Sequence, residues 1–292
     1  MTVQWYPGHM TKALRMMENE IKLVDIVIEI LDARAPLSSR NPDIDKLANS
    51  KLRLIVMNKA DLADASISKK WEAYFAGLNI KTVFVNSKNK EGIKNILPAI
   101  REVCKERIQR NAAKGIKNQP IRAMIAGIPN VGKSTFINAL AGSNKAKTGN
   151  KPGVTVGKQW ISIGSDIALL DTPGILWPKF SDQEVGKRLA YLGSINDEIL
   201  VSEELAGELL LYLLSFYSEN LYERYGINEE AIDEEESKAA SFYTKQSLML
   251  DIIARKRGTL KPGAESDYFK TANLVLEDFR SGKLGRITLE QP

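Results

Sequence analysis

The 292-residue chain has one cysteine, Cys104, and one histidine, His9. A lone cysteine excludes an intramolecular disulfide and any zinc site built from several thiolates. A lone histidine leaves one imidazole for proton chemistry near neutral pH. Long apolar runs are missing too. The longest, residues 205–216, contains Glu208 and is too short to cross a bilayer. The first residues lack the charged-then-apolar pattern of a signal peptide. There is no internal repeat and no low-complexity tract. A cytoplasmic protein is the expectation, with no membrane contact. At 43% hydrophobic and 26% charged residues, the composition is that of a soluble globular protein with room for two domains.

The net charge of +5 hides an asymmetry. Residues 1–180 carry 28 Lys and Arg against 15 Asp and Glu, whereas residues 181–292 carry 13 against 21. The basic first part suggests a polyanion partner beyond any nucleotide, although solvated helix faces would give the same count.

Residues 127–134 read Gly-Ile-Pro-Asn-Val-Gly-Lys-Ser, a complete G-x-x-x-x-G-K-S phosphate loop. The glycines let successive N–H groups turn toward one anion. Asn130, Val131, Gly132, Lys133, Ser134 and Thr135 are the candidate phosphate contacts. Lys133 places an ammonium on the β- and γ-phosphates, and Ser134 offers a hydroxyl to Mg²⁺. An apolar run at 121–126 precedes the loop as a strand would. Residues 134–140 can open a helix whose positive end faces the phosphates.

A second motif, Asn58-Lys59-Ala60-Asp61, has the N-K-x-D pattern. The Asp61 carboxylate accepts the two donors on guanine's edge, which adenine lacks. Lys59 can lie along the base, and Asn58 can either reach N7 or brace the loops. Asn86-Ser87-Lys88 is placed to supply the Ser87 N–H to guanine O6. Asp171-Thr172-Pro173-Gly174 provides an Mg²⁺-orienting carboxylate, through water, and a Gly174 N–H for the γ-phosphate. Thr155 is the candidate switch hydroxyl, shared between γ-phosphate and Mg²⁺. The expected substrate and product are GTP and GDP.

Strands expected at 24–31, 52–57, 83–85, 121–126, 158–163 and 167–170 alternate with helices at about 11–22 and 93–108 and one that carries Trp71, Tyr74 and Phe75. That alternation implies an α/β fold with a doubly wound, mostly parallel sheet. Each motif follows a strand, so all converge at the carboxyl ends, where such sheets bind ligands. Beyond about residue 181 the pattern becomes helical, at 185–192, 203–217, 238–255 and 268–279. The expected division is a GTP-binding domain, 1–180, and a smaller all-helical domain, 181–292, a candidate for RNA binding. There Arg255, Lys256, Arg257, Lys261, Arg280, Lys283 and Arg286 form a basic cluster able to meet phosphates.

In Ras-like P-loop GTPases the phosphate loop comes first and N-K-x-D late. Here N-K-x-D precedes the phosphate loop, so the order is circularly permuted, with 109–120 as the joining segment. With this order, Trp5-Tyr6-Pro7-Gly8-His9-Met10, Asp32-Ala33-Arg34-Ala35-Pro36 and the 278–285 stretch Asp-Phe-Arg-Ser-Gly-Lys-Leu-Gly resemble the ribosome-biogenesis GTPase A, or YlqF-type, family. The resemblance covers nearly the whole chain. It implies a cytoplasmic GTP hydrolase that binds the precursor of the large ribosomal subunit and its ribosomal RNA. It also implies late maturation as the step assisted, no DNA partner, and an ANTAR-like helical domain. Similarity to potassium-stimulated GTPases points to Asn130 as a K⁺ ligand, and an amide oxygen suits a hard cation; the alternative is that Asn130 only braces the loop.

Ile175 stands where Ras-type enzymes carry a water-orienting glutamine, and an aliphatic side chain cannot position water. Slow turnover alone, stimulated by the ribosomal particle, is the expectation. His9 is a candidate for the missing catalytic group, carried over the nucleotide by the first segment from a turn that precedes a helix. Packing or RNA stacking of Trp5, Tyr6 and His9 is the other reading. Two functions remain: a hydrolase whose cycle times release from the particle, and a nucleotide-sensing placeholder in which hydrolysis is incidental.

Overall fold

The computed structural model describes residues 8–116, 119–142, 159–177, 180, 182–196, 201–238 and 244–292. Two compact units emerge. One comprises the described residues of Gln4–Val185 with Thr288–Pro292, the other those of Gly186–Ile287.

The first unit is built on a six-stranded sheet. Its strands are β1 (Ile26–Asp32), β2 (Leu52–Asn58), β3 (Lys81–Phe84), β4 (Ile121–Ala126), β5 (Gln159–Ile163) and β6 (Ile167–Asp171). They lie in the order β3-β2-β1-β4-β6-β5, and all neighbours are parallel except the antiparallel pair β5–β6. The central strands β1 and β4 read as near-continuous apolar runs because helices cover both faces. The register pairs Asp32 with Asn58 and Ile125 with Asp171, which brings the motif residues to one edge.

Around the sheet run α1 (Gly8–Glu20), α2 (Pro42–Leu47), α3 (Ala65–Gly77), α4 (Ile96–Val103), α5 (Lys105–Ala113) and α6 (Lys133–Ala141). Helix α3 packs Ile67, Trp71 and Phe75 onto Leu31, Ile55 and Met57. Trp71 and Phe75 are fully buried, each contributing roughly 2–3 kcal/mol by removal of apolar surface from water. Asp64 caps α3, its carboxylate accepting from the N–H groups of Ser66 and Ile67 at 2.7 and 3.2 Å.

Some expected helices shift. The first starts at Gly8 rather than Thr11, so the backbone of His9 is already in the first turn of α1 and not in a preceding turn. Residues 93–108 are not one helix. A short 3₁₀ turn at Ile93–Asn95 leads into α4, and buried Cys104 separates α4 from α5.

The chain passes from one unit to the other within α7 (Gln183–Tyr191). The second unit continues with α8 (Ser202–Phe216), α9 (Ser218–Tyr225), α10 (Glu229–Lys238), α11 (Lys245–Arg257) and α12 (Tyr268–Ser281). Its core joins Leu209 and Leu213 of α8, Met249 and Ile253 of α11, and Val275 and Phe279 of α12. Gly207 lets α8 approach α11, since a Cβ there would meet the Gln246 Cβ at 2.7 Å. The helix expected from 238 instead starts at Lys245, because Thr244 forms a capping box with Ser247. Buried Asp278 accepts Arg224 Nε and Nη2, each at 2.9 Å. Arg280 donates to the carbonyls of Ala190 and Tyr191 at 2.8 and 3.0 Å. Arg280 therefore works inside the unit, and Arg255 pairs with Asp251 at 2.6 Å, which narrows the basic cluster read from the sequence.

Candidate functional site

The phosphate loop joins β4 to α6 in the strand–loop–helix order the motif requires. Asn130 at φ +60° and Gly132 at φ +92° take left-handed backbone. Any side chain at Gly132 would run into the Asn58 amide. Gly127 is equally constrained, with an added Cβ 2.6 Å from the Ile30 carbonyl. Gly132 forms the amino-terminal boundary of α6, so the positive end of the helix and the half-buried Ser134 and Thr135 face the loop.

Lys133 is buried, 7% exposed, and its ammonium donates to the Ile128 carbonyl at 2.7 Å. Burial pulls its pKa from 10.5 to about 8, against the opposing charge of Asp171. Asp171 ends β6 and is 2% exposed. Burial raises its pKa, against Lys133 and the Thr172 N–H. Its Oδ1 is buried without a hydrogen-bond partner. Both groups are thus disfavoured as ions in the protein alone, the lysine for want of anionic oxygens and the carboxylate for want of donors or a cation. Among the described residues no three His, Cys, Asp or Glu side chains converge on a metal position. A divalent ion here would rest on Ser134, Asp171 and oxygens from a ligand, the manner in which Mg²⁺ is bound beside phosphates.

Gly174 approaches the loop so closely that a Cβ would lie 2.7 Å from the Lys133 Nζ and 2.9 Å from the Pro129 Cα. The Ile175 N–H donates to the Gly127 carbonyl at 3.3 Å, and the Asn41 amide donates to the Ile175 carbonyl at 2.8 Å. The Ile175 side chain is buried, which removes it further from any contact with attacking water.

The N-K-x-D loop is fastened to the phosphate loop. Asn58 Nδ2 donates to the Val131 carbonyl at 2.7 Å, and its Oδ1 accepts the Ser87 N–H at 3.1 Å and the Ser87 hydroxyl at 2.8 Å. Asn58 is therefore a brace between three loops, and the Ser87 N–H expected to face a base is directed to Asn58 in this structure. Asn86 turns the same loop, accepting the N–H groups of Lys88 and Asn89, each at 3.1 Å. Lys59 takes left-handed backbone at φ +57°. Its ammonium reaches the Asn130 carbonyl at 3.0 Å and Asp32 at 2.8 Å. Asp61 is exposed. Thr155 lies outside the described residues, as do the side chain of His9 and all of Trp5 and Tyr6.

Sequence reasoning missed three members of this site. Asp32 and Arg34 stood out only as part of a shared motif. Asp32 accepts Arg34 Nε and Nη2, both at 2.9 Å, as well as Lys59. Burial opposes its ionisation, but Arg34 and Lys59 outweigh that and hold its carboxyl well below the usual range. A fixed anion thus sets the direction of Lys59. Asn41, which pins Ile175, carried no sequence signal.

The family described as 50S ribosome-binding GTPase matches residues 122–254. Ribosome biogenesis GTPase A of Bacillus cereus is 48% identical over 292 residues, covering 100% of this chain and 95% of that protein. Mitochondrial ribosome-associated GTPase 1 of Bos taurus is 33% identical over 302 residues, covering 99% and 88%. Among solved structures, GNP-bound YlqF from T. maritima superposes with a TM-score of 0.63 at 27% identity, covering 96% of this chain and 98% of that one. A GDP-bound YlqF gives 0.66 at 26% identity, covering 95% and 99%. With phosphate loop, D-T-P-G and N-K-x-D gathered at one sheet edge in permuted order, and identity of this degree over its full length, the chain belongs to the ribosome biogenesis GTPase A family.

Proposed function

We propose that this GTPase binds the assembling large ribosomal subunit, promotes its late maturation, and uses GTP hydrolysis to time its release. One observation carries the nucleotide part: Asn58 and Lys59 tie the base-reading loop directly to the phosphate loop, so base and phosphates belong to one ligand. In this reading Asp61 accepts the guanine donors, Lys59 lies along the base, Lys133 and Gly174 meet the phosphates, and Thr155 joins them when the triphosphate is bound. Mg²⁺ fits beside Ser134 and Asp171, whose Oδ1 otherwise has no partner, and would neutralise phosphate charge there. K⁺ at Asn130 would add a second positive charge where charge develops in the transition state. Names such as 50S ribosome-binding GTPase support the large subunit as partner, and the excess of Lys and Arg over residues 1–180 suits ribosomal RNA. The setting is the cytoplasm.

Buried Ile175 supports slow intrinsic turnover and a catalytic group brought from elsewhere, His9 in this chain or a group of the particle. It equally supports a second reading, a placeholder that senses nucleotide while hydrolysis is incidental. Phosphate release measured with and without precursor large subunits separates the two. A hydrolase that times its release turns over faster on the particle and dissociates after turnover. A placeholder shows one slow rate throughout, and that result refutes the first reading.

A further inference from the structure

After α12 the chain returns to the nucleotide-site unit, and Thr288–Pro292 belongs there. Residues 287–290 are all buried, Glu290 the most accessible at 8%. Their polar contacts fall on two places. The first is the loop after β1. Leu289 N–H donates to the Arg34 carbonyl at 2.7 Å. The Glu290 carboxylate accepts the Leu37 N–H, the Ser38 N–H at 3.0 Å and the Ser38 hydroxyl at 2.7 Å. The second is α3 and its cap Asp64, which follow immediately after the N-K-x-D loop. The Asp64 N–H donates to Thr288 Oγ1 at 3.0 Å, and Trp71 Nε1 donates to the Glu290 carbonyl at 3.2 Å.

Both places bear on the base. Arg34, whose carbonyl receives Leu289, grips Asp32 with its side chain, and Asp32 grips Lys59. Asp64, whose N–H donates to Thr288, caps α3 three residues after Asp61. The segment therefore braces the base-reading loop from the Lys59 side and from the Asp61 side.

We propose that Thr288–Glu290 is a positioning element of the guanine subsite, which holds Lys59 and Asp61 ready for the base. This rests on the assignment of the N-K-x-D loop to guanine. The chain leaves for the helical unit shortly after the γ-phosphate loop at Asp171–Gly174 and comes back onto residues that flank the base-reading loop. A partner that draws Thr288–Glu290 away therefore weakens GTP and GDP alike, and bound nucleotide by the same free energy retains the segment.

The test uses the full chain. Thr288→Val keeps the shape and removes the acceptor for Asp64, while Glu290→Ala leaves the Leu37 N–H and the buried Ser38 donors without their acceptor. Dissociation constants are measured for GDP, GTP and inorganic tripolyphosphate, all with Mg²⁺, beside kcat at saturating GTP. Loss of preorganisation should raise the GDP and GTP constants together by about tenfold, with tripolyphosphate affinity and kcat unchanged. Glu290→Gln, which still accepts through one oxygen, should recover part of the loss, and exposed Gln291→Ala should change nothing. Unchanged GDP affinity in Thr288→Val overturns the proposal, as does an equal loss for tripolyphosphate, which would mean general loosening. Should Glu290→Ala fail to fold, Thr288→Val and amide exchange in the unmutated protein decide. Exchange at Leu289 and Ser38 should slow with GDP but not with tripolyphosphate, and no difference overturns the proposal. Asp61→Asn separates the layers. If it leaves guanine preference intact, the base assignment itself fails; if it abolishes preference while the segment variants bind normally, only the positioning role fails.

Discussion

Removing the buried charge of Lys133 should stabilise the protein at neutral pH and make no difference in alkali. The side chain is 7% exposed and its pKa falls from 10.5 to about 8 because burial penalises the ammonium. In the unfolded chain the lysine keeps its proton up to about 10.5, so between those values the unfolded state binds more protons and stability rises with pH. A shift of this size corresponds to about 3 kcal/mol, an order-of-magnitude figure. Below pH 8 the fold carries the whole cost. Urea denaturation of nucleotide-free protein at pH 7, 8, 9 and 10 should show Lys133→Met more stable than the unmutated chain by about that amount at pH 7, with the gap closing toward pH 10. Mg²⁺ and GTP reverse the picture. Phosphate oxygens favour the ammonium, so binding takes up a proton above about pH 8, and GTP affinity falls as pH rises through that value. Calorimetry of GTP binding at pH 8.5 in buffers of different ionisation enthalpy reads the proton directly. A stability gap that does not change with pH, or binding without proton uptake, would refute the reasoning.

Further outcomes are expected. At equal ionic strength GTP hydrolysis should run faster in KCl than in NaCl, and Asn130→Ala should erase the difference; equal rates in the unmutated protein count against a cation there. His9→Ala should lower particle-stimulated kcat by at least about tenfold and leave GTP affinity unchanged, so the variant stays on the particle; surviving turnover makes the imidazole structural. Burial pushes the Cys104 thiol up to about 11, so alkylation at pH 8 should be slow in the native protein and become fast in urea, and rapid native labelling would contradict that burial.

The sheet was legible because β1, β2 and β4 are covered on both faces and so read as apolar runs, each followed by a motif of fixed spacing. The phosphate loop was legible for the same reason, since Gly127 and Gly132 must stand where no Cβ fits. What failed to show depends on register or on distant contacts. Asn58 could serve a base or a brace until β2 was set beside β1 and the phosphate loop. The hold of Asp32 on Lys59 exists only because Asp32 and Asn58 are paired across those strands. The contact of Glu290 with Ser38 spans 252 residues and leaves no local pattern. Helix ends were misread where short-range chemistry outweighs periodicity, as at Thr244, whose capping box starts α11 later than the apolar spacing suggests.

The most direct measurement is equilibrium binding of GTP, ATP and xanthosine triphosphate to the unmutated protein and to Asp61→Asn. If the permuted motifs form one guanine-reading site, the unmutated protein prefers GTP strongly. Asp61→Asn then loses that preference and gains xanthosine triphosphate, because an amide cannot accept two donors but can donate to the extra carbonyl. Identical discrimination by the two proteins would contradict the assignment of this loop to the base.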